Sequence, residues 1–280
     1  MSGELDTLEG KVIVDTSTPE SLKVTMSNAL VRAGHGLSLS EKRLIMMSVA
    51  TLDSRKLLKP GEVPITRIRA TDYAEQFQID PDTAYDQLRA AEKSLYNRSI
   101  TFFEASHRRK GKPLDLTMVR MRWVGQVKYH KTEGWVELHW WPPLLPHLCG
   151  LKNQFTSYQL AQASGLRSMH SWRLLELIER FTGTGWAQYS IEDFAVAMDA
   201  TVKQRGDFAK IRTKIIEPSV RELNEKDGWA IEWEPVKAGR KVVALRFKFK
   251  KDPQGRLNLC LLYTSPSPRD RTRSRMPSSA

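Results

Sequence analysis

The chain has 280 residues, enough for two ordinary domains, and 40% hydrophobic and 27% charged residues, the balance of a globular protein with real cores. Lys and Arg number 44 against 32 Asp and Glu, a formal charge of +12 that favours a polyanionic partner, nucleic acid or an anionic membrane surface. No apolar run is long enough to span a bilayer, no basic-then-apolar signal opens the chain, and two cysteines without partner spacing argue against a disulfide framework, so a reducing cytoplasm is the expected compartment.

Residues 1–25 carry Glu4, Asp6, Glu9, Asp15 and Glu20 with few large apolar groups and are expected to form a mobile acidic leader. A short helix is expected over 26–33, closed by Gly34 and Gly36. Ser38 or Ser40 then caps a stronger helix, with Leu44, Met47 and Leu52 among its core positions. A strand over 64–66 leads to a helix over 70–77, a turn at Gln78-Ile79, and a second helix. Asp80 suits the N-cap of that second helix, Pro81 its first position, and Asp82 complements its dipole. Helix, short turn and capped helix make a helix-turn-helix pattern. Strands follow over 99–103, 118–129 and 134–141, the last two joined by a turn at Lys131-Thr132-Glu133-Gly134. A helix-turn-helix followed by a hairpin is the order of a winged helix. The strand at 135–141 is a candidate exposed edge, open to pairing with a second copy.

The order then repeats. Helices are expected over 155–163, 168–182 and 191–200, the last with Phe194 and Met198 on one face. Next comes 203–226, then strands over 229–234 and 241–250 with Lys237-Ala238-Gly239-Arg240 at their turn. The two copies share little residue identity. The predicted chain is therefore α+β and mostly helical: two tandem winged-helix domains over 26–148 and 149–252. Residues 253–280 read as a disordered tail. Within it, Cys260 to Thr264 back-translates as a transposase end sequence used in library adapters, so 260–280 is treated as a suspected translated adapter.

The segment 203–226 has two unlike faces. Phe208, Ile211, Ile215, Ser219 and Leu223 form an apolar stripe, while Lys210, Lys214 and Arg221 fall opposite it. Lys203 and Arg205 precede its first turn, and Asp207 is a candidate N-cap. Such a helix suits the DNA major groove, and it equally suits a solvated charged face. The chemistry of catalysis is missing from the pattern. There is no phosphate-binding G-x-x-x-x-G-K-[ST] loop, no His-x-His pair with a nearby Tyr as a metal-dependent nicking enzyme requires, and no second pair to complete a zinc site around His147 and Cys149. No cofactor, metal or catalytic residue is expected.

The segments LSLSEKRLIMMSVATLDS, DYAEQFQIDPDTAYDQLRAAEKSLYNRSI, FTSYQLAQASGLRSMHSWRLLELIERF and FAKIRTKIIEPSVRELNEK, followed by GRKVVALRFKF, resemble the plasmid replication initiators that bind repeated origin sites called iterons. The resemblance spans roughly residues 26–250. It implies a first winged helix used for dimerisation and secondary DNA contact and a second that reads the iteron. It implies monomers that start replication with a host initiator and helicase, and homodimers that repress the protein's own promoter. By position it assigns DNA reading to Lys203, Arg205, Lys210, Arg212 and Lys214, with Arg212 tilted toward the apolar stripe on an ideal wheel, and it makes Pro218 a kink and not an end. Ser168, His170 and Arg173 look like phosphate-positioning groups, Ser168 equally a plain N-cap, and Arg240 and Lys241 lie on the wing. In the first domain Tyr85, Arg89 and Lys93 are either secondary DNA contacts or a solvated face. A winged-helix transcriptional repressor that initiates nothing has the same pattern.

Overall fold

The computed structural model describes residues 13–15, 22–105 and 116–251. Most of the acidic leader, the tail beyond 251 and its suspected adapter lie outside the described residues. The first half runs β1 (Ile13–Asp15), β2 (Lys23–Ser27), α1 (Asn28–Arg32), α2 (Leu39–Ala50), β3 (Ile65–Arg69), α3 (Ala70–Phe77), α4 (Pro81–Leu95), β4 (Ser99–Ala105), β5 (Leu116–Arg122), β6 (Val124–His130) and β7 (Trp135–Trp140), and closes in a 3-10 turn at Pro142–His147. The second half runs β8 (Phe155–Gln159), α5 (Leu160–Ser164), α6 (Met169–Glu179), β9 (Trp186–Ser190), α7 (Ile191–Ala197), α8 (Val202–Arg205), α9 (Phe208–Ile211), a π turn (Arg212–Ile216), α10 (Glu217–Lys226), β10 (Trp229–Ala238) and β11 (Lys241–Lys251).

The duplication expected from the sequence is realised in the three strands around each helix-turn-helix. The strand before each helix-turn-helix pairs antiparallel with the second strand of the following hairpin: β3 with β7, and β9 with β11. That strand in turn pairs with the first of its hairpin, giving the orders β1-β3-β7-β6 and β10-β11-β9. Each half also opens with a short strand and a short helix, and the two opening strands, β2 and β8, pair antiparallel with each other from Lys23 opposite Gln159 to Ser27 opposite Phe155. The long helices α2 and α6 follow those openings and are buried along almost their whole length. One continuous apolar core runs through both halves.

Local chemistry explains the helix boundaries. Ser38 closes a capping box, its Oγ accepting from Glu41 N at 3.4 Å while Glu41 Oε2 accepts from Ser38 N at 2.7 Å. Asp80 Oδ1 accepts from the amides of Asp82 (2.9 Å) and Thr83 (3.3 Å), and Pro81 opens α4 without an orphaned N–H. The turn before it is made by Gln78 in the left-handed region, φ 48°. Leu44, Met46, Met47 and Leu52 are all core residues.

Several expectations are corrected. Lys23–Ser27 is a strand where a leader to residue 25 and a helix from residue 26 were expected, and Ile13–Asp15 pairs in parallel with β3. Phe155–Gln159 is also a strand and not a helix: Thr156 and Tyr158 alternate inward in the period of a half-buried strand. The expected strand over 118–129 is two, broken at Trp123, which is fully buried and whose indole N–H donates to His35 O at 2.9 Å. Its first part pairs with β4 as a separate hairpin inserted before the wing. Finally, β7 is an interior strand between β3 and β6, so it offers no free edge.

At the centre of the first wing, Glu137 on β7 stands opposite Arg67 of β3 and Lys128 of β6. Its carboxylate accepts from Arg67 Nη2 at 2.9 Å, Lys128 Nζ at 3.0 Å and His139 Nε2 at 2.8 Å. Burial alone would raise this carboxyl, but the three donors outweigh it and hold it down to about 2. A depressed folded-state value contributes stability that is present above the ordinary carboxylate range and is lost as pH falls toward 2. Urea unfolding followed by circular dichroism should therefore show wild type losing stability between pH ~4.5 and ~2, and Glu137→Gln should be flatter across that window.

Candidate nucleic-acid interface

The helical run 208–226 is built from α9, the π turn and α10 without a break. Asp207 caps it, its Oδ1 accepting from Ala209 N at 2.9 Å and Lys210 N at 3.4 Å. Ile211, Ile215, Ile216, Ser219, Val220 and Leu223 are buried, and α10 packs against α6 and β10. Phe208 meets the Trp233 ring edge-on at 6.5 Å.

The π turn is tied to Pro218. Proline has no N–H, so the ordinary hydrogen bond from residue 218 back to Lys214 O cannot form. The wider turn takes up the mismatch, with Glu217 N–H reaching back to Arg212 O. It also inserts one residue into the helical phase. Ile215 and Ile216 are both buried as a result, and Arg212, Thr213 and Lys214 all face solvent. Arg212, which an ideal wheel tilts toward the apolar stripe, is thereby exposed.

Across this face Lys210 pairs with Asp207 at 3.2 Å and Arg212 with Glu217 at 3.4 Å, while Lys214 makes no ion pair among the described residues. Both pairs are solvent-exposed and weak enough to exchange for another anion. Lys203 and Arg205 are exposed on α8, Arg205 being steadied by a bond from its Nε to Ala200 O at 2.8 Å. Arg240 and Lys241 are exposed at the β10–β11 turn, which Gly239 makes at φ 62°. One exposed helix face and one wing tip of the second half are thus cationic.

The three candidates at the start of α6 fare differently. Ser168 is the helix cap, its Oγ accepting from His170 N at 3.2 Å and Ser171 N at 3.4 Å. His170 is half-buried, and that burial lowers its pKa. Arg173 is corrected outright: it is fully buried, and its guanidinium donates to Val31 O (2.7 Å), Ala33 O (2.8 Å) and Ala197 O (2.8 Å) and pairs with Glu176. No part of it is left to meet a phosphate.

In the first half Arg89 and Lys93 are exposed on α4. Tyr85 is half-buried, its ring lying over Gly134 of the wing turn so closely that a Cβ there would stand 2.2 Å from its edge. It braces the wing against α4.

The residues missed at the sequence level are His35, Lys42 and Glu176, which gather with Arg173, and Asp199, which holds the backbone amides of His35 and Gly36. Their signal was present: Lys42 and Glu176 each occupy a core-facing position of a helix among buried apolar neighbours. A charge in such a place must find a partner, but only the fold says which.

Two profiles match: "Initiator Replication protein, WH1" over residues 23–179 and "Initiator Rep protein, WH2" over residues 190–249. The PI protein of Escherichia coli is 26% identical over 270 residues, covering 86% of each chain. A replication initiation protein of Escherichia coli is 22% identical over 238 residues, covering 83% of this chain and 71% of that one. The crystal structure of Pi initiator protein in complex with iteron DNA matches with TM-score 0.66 at 23% identity, over 84% of this chain and 99% of that one. It shares the fold of two tandem winged helices.

Burial and exposure separate two classes of basic residue here, and mutation should separate them too. Arg173→Ala, which leaves three buried carbonyls without their donor and removes one of the two cations beside Glu176, should lower the free energy of unfolding by about 3–5 kcal/mol in urea titrations. Lys214→Ala should leave it within about 0.5 kcal/mol of wild type.

Proposed function

Because this chain belongs to the Initiator Replication protein family, with both its winged-helix domains, we propose that it initiates replication of a plasmid or other small circular DNA by binding direct repeats at the origin. The observation that carries this reading is the run 208–226, which buries one stripe and presents Lys210, Arg212 and Lys214 outward from a helix-turn-helix. The 19 residues of that run extend about 28 Å and fit a major groove about 12 Å wide. Arg or Lys donating to guanine O6 and N7 is the base reading this face supports, with roughly 1–3 kcal/mol of discrimination for each good pair. Arg240 and Lys241 on the wing hold the backbone, and α4 with Arg89 and Lys93 offers the first domain's secondary contact.

In this reading the two domains clamp one repeat. Arrayed copies deform the origin until adjacent A·T-rich DNA opens, and the host initiator and helicase are recruited there. A homodimer, in equilibrium with the monomer, represses the protein's own promoter. The protein works in the cytoplasm and supplies binding energy and geometry without breaking a bond. Among the described residues no helix is long and apolar enough to cross a membrane.

Two measurements test this. In binding titrations on a repeat-bearing duplex, the log–log salt slope should reach several times the roughly −0.9 expected per neutralised phosphate; a slope near −1 contradicts a two-domain clamp. Supplied in trans, the chain should maintain an origin-only circle, and Lys210→Ala/Lys214→Ala should lose that activity while keeping its fold. DNA binding without maintenance of the circle would identify a repressor instead.

A further inference from the structure

At the junction of the two winged helices lies a set of charged side chains with no solvent access. Lys42 on α2 donates through Nζ to Glu176 Oε1 (2.7 Å) and Oε2 (2.9 Å) on α6, and to His35 Nδ1 (2.9 Å). His35 Nε2 donates to Leu30 O at 2.9 Å, which places its acceptor nitrogen toward Lys42. Glu176 also accepts from Tyr158 OH at 2.8 Å, and that oxygen accepts from the Trp172 indole at 2.8 Å. Arg173 reaches from the second half to the carbonyls that end α1 in the first, Val31 and Ala33, while its Nε holds Ala197 O. Asp199, held at φ 51°, accepts from His35 N and Gly36 N at 3.1 Å each. His35, Lys42, Arg173 and Glu176 are all 0% exposed.

Apolar contact is non-directional and tolerates small slips between packed bodies. A buried, hydrogen-bonded charge does not: a shift of about 1 Å strands it in a low-dielectric interior. This junction buries two cations and the Glu176 carboxylate completely, with the half-buried Asp199 carboxylate at its edge and every nitrogen of Arg173 engaged. Burial drags Lys42 down to about 7 against the raising effect of Glu176. Burial, Arg173 and Lys42 hold His35 well below its ordinary value and so neutral. The cost of burying these groups is offset only while every partner stays in register.

We propose that Lys42, Arg173 and Glu176 are positioning residues for DNA recognition: they lock the angle between the winged helices and so set the spacing, along the duplex, between the two segments the protein reads. The proposal rests on the two-domain clamp above. None of the three residues touches DNA. They act by denying the domains the freedom to follow altered spacing.

The test uses a duplex selected by the wild-type chain from a randomised pool, with its two protected segments mapped by hydroxyl-radical footprinting. Five base pairs, about half a helical turn, are then inserted between those segments. Wild type should lose affinity roughly 100-fold on the insertion, because a rigid pair cannot engage both segments at once. Lys42→Met keeps the volume and the Arg173–Glu176 pair; Arg173→Lys keeps the charge but not the fork that spans the halves. Both should bind the parent duplex within about tenfold of wild type, and their insertion penalty should fall below about tenfold.

Circular dichroism and melting curves confirm that each variant is folded, and Arg173→Lys, which preserves the charge balance, decides the matter if Lys42→Met is not. A folded variant that retains the full wild-type penalty overturns the proposal. Wild type protecting a single segment, or showing no insertion penalty, sinks the clamp itself and this inference with it. Loss of stability alone does not change the ratio between the two duplexes, so the readout is specific to positioning.

Discussion

The structure turns on a buried ion set that ties one half of the chain to the other. Lys42 and Glu176 face each other from the two long central helices, and Arg173 reaches back to the carbonyls at the end of α1. Around them β2 and β8 pair across the halves, so the joint combines a backbone ladder with directional charge contacts. Burial alone would raise the Glu176 carboxyl; Lys42 and Arg173 beside it more than reverse that. Two winged helices connected only through apolar surface would slide against each other more easily than these can.

The helical run 208–226 depends on that joint indirectly, because it packs on α6. Its inward stripe is therefore set against the same helix that carries Arg173 and Glu176. Its outward face owes its width to Pro218 and the π turn, which bring Arg212, Thr213 and Lys214 to solvent together. A helix without that extra residue would present fewer of these groups on one side. Surface ion pairs to Asp207 and Glu217 steady two of the cations only loosely.

The wing of the first half follows a different logic from that of the second. Glu137 gathers Arg67, Lys128 and His139 into one cross-strand group, and Arg67 also stacks over Trp135 at 4.4 Å. Tyr85 then braces the turn at Gly134. In the second wing a cation takes the central place, Arg246 of β11 donating to Glu234 of β10 at 3.2 Å and to Gln188 of β9 at 3.1 Å, and the turn beyond it ends in exposed Arg240 and Lys241. The same topology is thus tied across its strands by a carboxylate with a braced turn in one copy, and by an arginine with a cationic tip in the other. This asymmetry accords with the unequal roles of the two domains in the proposed clamp.

Much of this was legible in the residues alone. Helix caps at Ser38, Asp80 and Asp207, the apolar stripe from Phe208 to Leu223, the wing turns and the doubled element order are all local, since each is decided by neighbours within a few positions in the chain. Tertiary structure decided what local rules cannot reach. It paired β2 with β8 across more than a hundred residues, where short segments at 23–27 and 155–159 had helical neighbours and no ladder partner in view. It placed β7 inside its sheet and not at an edge. It also took Arg173 from the surface to the interior: Glu176 lies one turn along the same helix, but that pair is compatible with water or with burial, and only the carbonyls of Val31, Ala33 and Ala197 closing on the guanidinium, with Lys42 closing on Glu176, select the second.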